Sequence, residues 1–346
     1  MSKFVRIALA GAGLIGRRHA AAVRTCEAAT LTCIIDPDPD AANFAAEHGV
    51  PCFRSLHDAI AAGGIDAVIL ASPNRAHVDG ALSCIAAGLP VLVEKPLADT
   101  VEGATAIAEA GEKAGVAVAV GHHRRHNPLV ATAKEQIAQG ALGRIVAVQG
   151  FAWLMKPDDY FNVDWRRRKG AGPVYLNLIH DIDLLQHLCG PIAGVQALES
   201  NAVRGAEVED TAALLLHFAS GALGTVTVSD TIPAPWSWEL TARENPAYPA
   251  TAQSCYTIGG TLASLSLPDL TLWQTSGARS WWSPVSATKL ICNFADPLVR
   301  QVKQFCRVAT GVEPPLVSAR DGLAALKVIE AAKNAAATGS AIAVDP

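Results

Sequence analysis

No apolar run in this chain approaches the roughly 20 residues that a membrane-crossing helix needs. The longest, such as Ala67–Ser72, fall far short, so no transmembrane helix is expected. Charge is also scarce. Charged residues make up 17% of the chain and the formal net charge is -4 at pH 7, which leaves no basic field to draw in nucleic acid or an anionic membrane. The eight cysteines are scattered without a C-x-x-C pair, which argues against a zinc knuckle or a dithiol redox motif. Buried free thiols in a reducing compartment are expected instead. No internal repeat, low-complexity linker or H-E-x-x-H pattern occurs. The stretch Met1–Gly16 faintly resembles a signal peptide, but its glycines are spaced for another purpose and Arg17-Arg18 follow at once. A cytoplasmic protein is therefore expected.

What the chain does have is length and apolar mass. Its 346 residues, half of them hydrophobic, are enough for about two domains with separate cores. Up to residue 122, short β-like runs (Val5–Ala10, Leu31–Asp36, Ala67–Ala71, Val91–Glu94, Val116–Gly121) alternate with Ala-rich helical stretches at 14–25, 38–48, 76–88 and 100–114. Pro39 and Thr100 stand where helices start, and Gly49, Gly88 and Gly115 where they stop. That alternation predicts a parallel sheet covered by helices. Beyond about residue 190 the runs are longer and alternate, at Thr211–Phe218, Leu223–Ser229, Cys255–Gly259 and Leu262–Leu267, which predicts a mainly antiparallel sheet. The fold class expected is α/β: a doubly wound Rossmann domain over 1–122, then an α+β domain with an open sheet over 123–346. A helix near 318–338 is expected to pack back on the first domain. The Trp- and Pro-rich stretch 231–251 reads as a long loop, and such loops often carry function.

The first strand runs directly into Gly11-Ala12-Gly13-Leu14-Ile15-Gly16, a G-x-G-x-x-G at the opening of a helix. Gly11 permits the tight turn, Gly13 the approach of a pyrophosphate, and Gly16 close helix–strand packing. The helix start offers free N–H groups to the phosphates. Asp36 closes the second strand, where an acid can take the adenosine ribose hydroxyls. A 2′-phosphate would meet it as a like charge, and Pro37-Asp38-Pro39-Asp40 supplies no arginine, so NAD is expected over NADP. The competing role for Asp36 is to cap the turn into the next helix.

Two further segments, Ala71-Ser72-Pro73-Asn74-Arg75-Ala76-His77 and Gly88-Leu89-Pro90-Val91-Leu92-Val93-Glu94-Lys95-Pro96-Leu97, together with the glycine loop closely resemble the Gfo/Idh/MocA family, the glucose–fructose oxidoreductase and inositol dehydrogenase group. The resemblance covers nearly the whole chain. It implies a Rossmann domain that holds NAD(P), and a second domain whose open sheet often forms the oligomer interface. It also implies that Lys95 sits beside the nicotinamide and the reacting carbon, with Ser72, Asn74, His77 and Glu94 on the cofactor side. A cation at the end of a parallel strand lies where such sheets bind ligands and can stabilise a developing alkoxide.

The stretch Trp165-Arg166-Arg167-Arg168-Lys169-Gly170-Ala171-Gly172-Pro173 and its continuation to Leu184 look like the family's glycine-rich turn and catalytic helix, where a histidine is the acid/base. On an α-helix Asn177, His180, Asp181 and Leu184 share one face. Many members carry an aspartate four residues before the histidine; here that place is Leu176, with Asn177 next. An amide cannot take a proton as a carboxylate can, so Asn177 is expected to bind substrate or orient His180. Asp183 either orients His180 or stabilises the helix. His123, and with it Arg124, follows the last strand of the first domain and either reaches the nicotinamide or substrate or lies in a polar crossover. Trp165 and Arg166 resemble family contacts to the cofactor, against the alternative of a basic surface run. With Lys95, His123, Arg166, Asn177 and His180, Trp153 completes the residues expected around substrate.

These residues predict a dehydrogenase that moves hydride between NAD and a secondary alcohol or ketone of a sugar, cyclitol or related polyol. Lys95, His180 and Asn177 are its catalytic candidates, and no metal is required. Dihydrodiol oxidation and imine or keto-sugar reduction are alternatives in the same class. A metal hydrolase or lyase built on His122, His123 and His126 or on His180, Asp181, Asp183 and His187 is disfavoured because the two sets fall on separate elements. A protein that senses NAD or sugar without turnover is the remaining alternative, and the presence of both Lys95 and His180 argues against it. A homo-oligomer, dimer or tetramer, is expected from the sheet's second face.

Overall fold

The computed structural model describes residues 4–345, so Met1–Lys3 of the N-terminal segment lie outside it. The first unit opens with β1 (Val5–Ala10), α1 (Leu14–Thr25), β2 (Ala29–Ile35), α2 (Ala41–Glu47), β3 (Cys52–Phe53), α3 (Leu56–Ala62) and β4 (Ala67–Leu70). It continues through α4 (His77–Ala86), β5 (Val91–Val93), α5 (Val101–Ala114) and β6 (Val118–Val120). The strands form one parallel sheet in the order β3-β2-β1-β4-β5-β6, the doubly wound arrangement whose ligand crevice opens where the order reverses, between β1 and β4. Thr100 caps α5 by accepting the N–H of Gly103, and left-handed Gly115 ends it. Helix α2 begins at Ala41, later than the expected residue 38, because Asp36 and Asp38 fold the acidic Pro-rich run into successive side-chain turns, taking the N–H groups of Asp38 and Asp40 at 2.9 and 3.0 Å.

The second unit contains α6 (Pro128–Ala138), β7 (Ile145–Trp153), α7 (Ile179–Cys189), β8 (Ile192–Ser200), β9 (Thr211–Phe218) and β10 (Leu223–Ser229). After these come α8 (Trp238–Thr241), β11 (Tyr256–Gly260), β12 (Ala263–Leu267), β13 (Thr271–Thr275) and β14 (Val285–Lys289). Three elements close the chain: α9 (Pro297–Ala309), α10 (Ala319–Thr338) and β15 (Ile342–Ala343). The second sheet has nine strands in the order β14-β13-β12-β11-β7-β10-β9-β8-β15 and is antiparallel at every pairing except β7 with β10. Strand alternation gives it two faces. Val148, Leu214, Leu216, Val226, Ile258 and Leu265 are buried on one, whereas Leu198, Leu215, Leu223 and Trp273 stand exposed on the other.

The compact units do not divide at a single point. The first comprises 4–127 and 295–326, the second 128–294 and 327–345, whereas the sequence suggested one boundary at 122. The physical reason is α9. Its apolar stripe Leu298, Val302 and Phe305 is fully buried in the first unit's core with Val23, Ile34 and Phe44, each such side chain contributing ~1.5–3 kcal/mol. The start of α10 joins the same unit through Arg320 on Glu112 and Arg125 on Asp321.

Candidate active site

In the first unit the glycine loop is shaped by contact. Gly11 adopts φ +102°, and a Cβ built on Gly16 would lie 2.0 Å from the Gly11 carbonyl oxygen, so neither position admits a side chain. Gly13, in contrast, is exposed with nothing within 4 Å of its ideal Cβ, leaving open space in front of the start of α1. Leu14 and Ile15 form its first turn, with Leu14 87% exposed. Asp36 lies beside this loop: one carboxylate oxygen accepts the N–H of Ala12 at 2.8 Å while the other takes that of Asp38. It thus serves both the glycine loop and the turn toward α2. A glycine loop at the start of a helix, with an open Gly13 and an adjacent half-buried carboxylate, fits the pyrophosphate and ribose of a dinucleotide.

Lys95 lies two residues beyond the last residue of β5, after Glu94. Sheet order puts its strand end two strands from the end of β1, roughly 10 Å at ordinary strand spacing. Glu94 turns its carboxylate inward, where it accepts the N–H of Lys95 at 3.1 Å and the Nε2–H of His19 at 2.7 Å. Burial alone would push this carboxyl up; the His19 hydrogen bond and the electrostatic pull of His19, His123 and Lys95 outweigh it and hold the group at about 2. His77 is fully buried, with Nδ1 2.9 Å from the Pro96 carbonyl oxygen and Nε2 3.0 Å from that of Ser72. Any service of Glu94 or His77 to a cofactor therefore passes through the loops they hold. Ser72 and Asn74 are half-buried at the end of β4, and His123 is half-buried in the 3-10 turn after β6, next to buried Arg124.

The second unit carries the other candidates. Residues Val174–Leu178 form a π turn before α7, so Asn177 stands in a wider turn and not in the α-helical register that relates His180, Asp181 and Leu184. Such turns are frequent at functional sites. Its half-buried side chain has a buried Oδ1 with no hydrogen-bond partner among the described residues. His180, Asp181 and Asp183 are all buried on α7. Asp181 accepts the hydroxyl proton of Tyr256, whose ring stacks on Trp238 at 5.7 Å. The Trp- and Pro-rich loop thereby gains a visible structural role, since its short helix α8, capped by Ser237, delivers Trp238 beneath the catalytic-helix candidate.

Trp153 is not brought to that helix. It lies three residues beyond Gly150, the β7 partner of Tyr256, and alternation turns it to the opposite face. There it packs with Phe151 and Trp236 at 5.2 and 5.6 Å and donates its indole N–H to Thr227. Trp165 is exposed, and Arg166 is folded over the Tyr160 ring at 3.9 Å with Nη1 on the Tyr160 carbonyl. Their segment is fastened by Arg204, which lies over Phe161 at 4.0 Å and donates to Asp230 and to the Lys156 carbonyl oxygen. Burial lowers the Lys156 ammonium against the upward pull of Asp230. Among the described residues no His, Cys, Asp and Glu group is arranged to hold a metal ion, and no helix is long and apolar enough to cross a membrane.

Sequence reasoning passed over His19, Glu209 and Tyr256. Glu209 accepts the N–H of Val174 at 3.0 Å and the ammonium of Lys333 at 2.6 Å, fixing the start of the π turn. The available signal for His19 was its place on the buried stripe Gly16, His19, Ala20 and Val23 of α1, since a polar residue inside an apolar stripe needs a partner.

A dinucleotide cradle at the switch point of a parallel sheet, with a lysine beyond the end of β5, fits a nucleotide-dependent oxidoreductase. Residues 5–122 match the oxidoreductase family with NAD-binding Rossmann fold, and residues 130–266 match the GFO/IDH/MocA C-terminal domain. The chain belongs to the Gfo/Idh/MocA family. It is 27% identical to the rhizopine catabolism protein MocA of Rhizobium meliloti over 96% of this chain and 95% of that one. To the scyllo-inositol 2-dehydrogenase (NAD(+)) of Bacillus subtilis it is 30% identical, covering 67% and 69%. The crystal structure of the WlbA dehydrogenase from Bordetella pertussis with NADH and UDP-GlcNAcA superposes with a TM-score of 0.80 at 26% identity, over 99% of this chain and 100% of that one.

Proposed function

We propose that this oxidoreductase transfers hydride between NAD, in preference to NADP, and a secondary alcohol or ketone of a sugar, cyclitol or related polyol. The observation that carries the reading is Lys95 at the end of β5, in the same row of strand ends as the Gly11 turn and Asp36. The NAD-dependent inositol enzyme and the nucleotide-sugar complex among its relatives support the substrate class. Bound NAD would accept the hydride. His180 takes the hydroxyl proton as the carbonyl forms, Lys95 stabilises the oxygen, and Asn177 positions a neighbouring hydroxyl through its unpartnered Oδ1. The sheet's outward face, with Leu198, Leu215 and Leu223, is the surface through which copies of the chain associate.

A polyol panel of inositols, anhydrosugars and aldoses with NAD, followed at 340 nm, tests the activity, with the matching ketones and NADH for the reverse direction. NAD-dependent turnover, lowered by about 10²- to 10⁴-fold in Lys95→Ala, is the expected result. Tight NADH binding with no turnover in either direction would favour a sensing role. Full activity after chelation would exclude metal hydrolysis.

A further inference from the structure

Lys95 is a flexible side chain at the end of a strand of only three residues, yet its main chain is fixed from both sides. On one side its N–H is donated to Glu94, whose other oxygen holds His19. On the other, the carbonyl of Pro96 is met by His77. Glu94 has little freedom to leave: a Cβ on Gly121 would lie 2.8 Å from its carboxyl carbon, so the residue after β6 is packed directly against it. His19 is fully buried and reaches Glu94 from α1, three residues after Gly16. We propose that His19 is a positioning residue for the catalytic lysine: by holding the Glu94 carboxylate it locks the main chain of Lys95 to the helix that begins at the dinucleotide loop.

The needs of the buried carboxylate support this assignment. Such a group must find donors, and Glu94 accepts both His19 Nε2–H and the Lys95 N–H that it holds in place. Removing the first leaves the carboxylate to rotate or take a proton, and either change weakens its hold on the second. Because α1 also presents the loop, dinucleotide and lysine are referred to one rigid element. The consequence for catalysis rests on the role proposed above for Lys95, whereas the anchoring itself does not.

The test uses the full chain with His19→Leu, which removes the donor, and His19→Gln, which supplies an N–H of similar reach. Backbone amide exchange at Lys95, followed by NMR, should accelerate about tenfold or more in His19→Leu, the change expected from losing one hydrogen bond to a charged group. In His19→Gln it should stay close to the wild-type rate, and the amides of Leu92 and Val93 should be unaffected in both. On any accepted polyol, His19→Leu should lower kcat about tenfold or more while the NADH dissociation constant changes far less. Wild-type protection of Lys95 in His19→Leu, or equal effects of Leu and Gln, would overturn the proposal. If His19→Leu does not fold, His19→Asn, too short to reach Glu94, takes its place with the same expected exchange. Normal turnover in Lys95→Ala alongside lost protection in His19→Leu would instead refute the role of the lysine and leave the anchor standing.

Discussion

Replacing Asp36 separates its two roles. Its carboxylate accepts the N–H of Ala12 at 2.8 Å and that of Asp38 at 2.9 Å, and in the proposed reading it also meets the adenosine ribose. Asp36→Asn keeps one acceptor oxygen for the glycine loop but loses the charge. A hydrogen bond to a charged group contributes ~1.5–3 kcal/mol against ~0.5–1.5 for a neutral one, so NAD should weaken about tenfold. For NADP, the like-charge repulsion at about 4 Å is ~1–4 kcal/mol per charge pair between bulk water and a protein surface. Removing it offsets the lost hydrogen bond, and the ratio of the two affinities should narrow by about tenfold or more. Asp36→Ala goes further, freeing both N–H groups, and should also lower Tm. Calorimetric titration of wild type and both variants with NAD and NADP, alongside thermal melts, reads all of these. Equal affinity of the wild type for the two dinucleotides, or an unchanged ratio in Asp36→Asn, would refute the reasoning.

Other expectations follow from the same geometry. Lys95→Ala and His180→Ala should each lower turnover by about 10²- to 10⁴-fold with NAD affinity nearly kept, the double variant being little worse than the poorer single one, and Asn177→Ala should mainly raise KM; steady-state kinetics and titration check this. Gly16→Ala should destabilise the fold because its Cβ has no room, whereas Gly13→Ala should melt like wild type and lose only dinucleotide affinity. Glu94, held at about 2 against an ordinary 4.5, contributes stability that is present above about pH 5 and lost as pH falls toward 2, ~3 kcal/mol by linkage. Glu94→Gln should therefore be less stable at pH 7 and show a flatter acid limb in denaturant titrations. Light scattering should find an oligomer that Leu215→Glu weakens, and a wild-type monomer at micromolar concentration would count against the proposed association.

The strands at β1, β2, β4, β5 and β6 were legible because each is a compact apolar run between turn residues, and the glycine loop because its spacing is tied to a strand and a helix. The pair β3 and α3 was not, since a two-residue strand carries no periodicity. Helical spacing also misplaced Asn177, because nothing local marks the wider π turn. Trp153 shows the limit of reading a site by neighbourhood: without the register of β7 its face is undetermined. His19 and Tyr256 depend on partners 75 residues away in sequence, which only the fold supplies.

The split first unit has a consequence for how the protein is made. Residues 128–294 are an insertion between β6 and α9, so the helix that seals Val23, Ile34 and Phe44 is synthesised long after the strands it covers. At the usual pace of ~5–20 residues per second, β6 leaves the ribosome roughly 9–35 s before α9. During that interval the nascent Rossmann sheet lacks one helical wall and exposes the apolar surface where Leu298, Val302 and Phe305 will dock. Release of a chain truncated anywhere within the insertion would leave that surface bare, a substrate for chaperones and proteases even though every strand of the dinucleotide fold is already present.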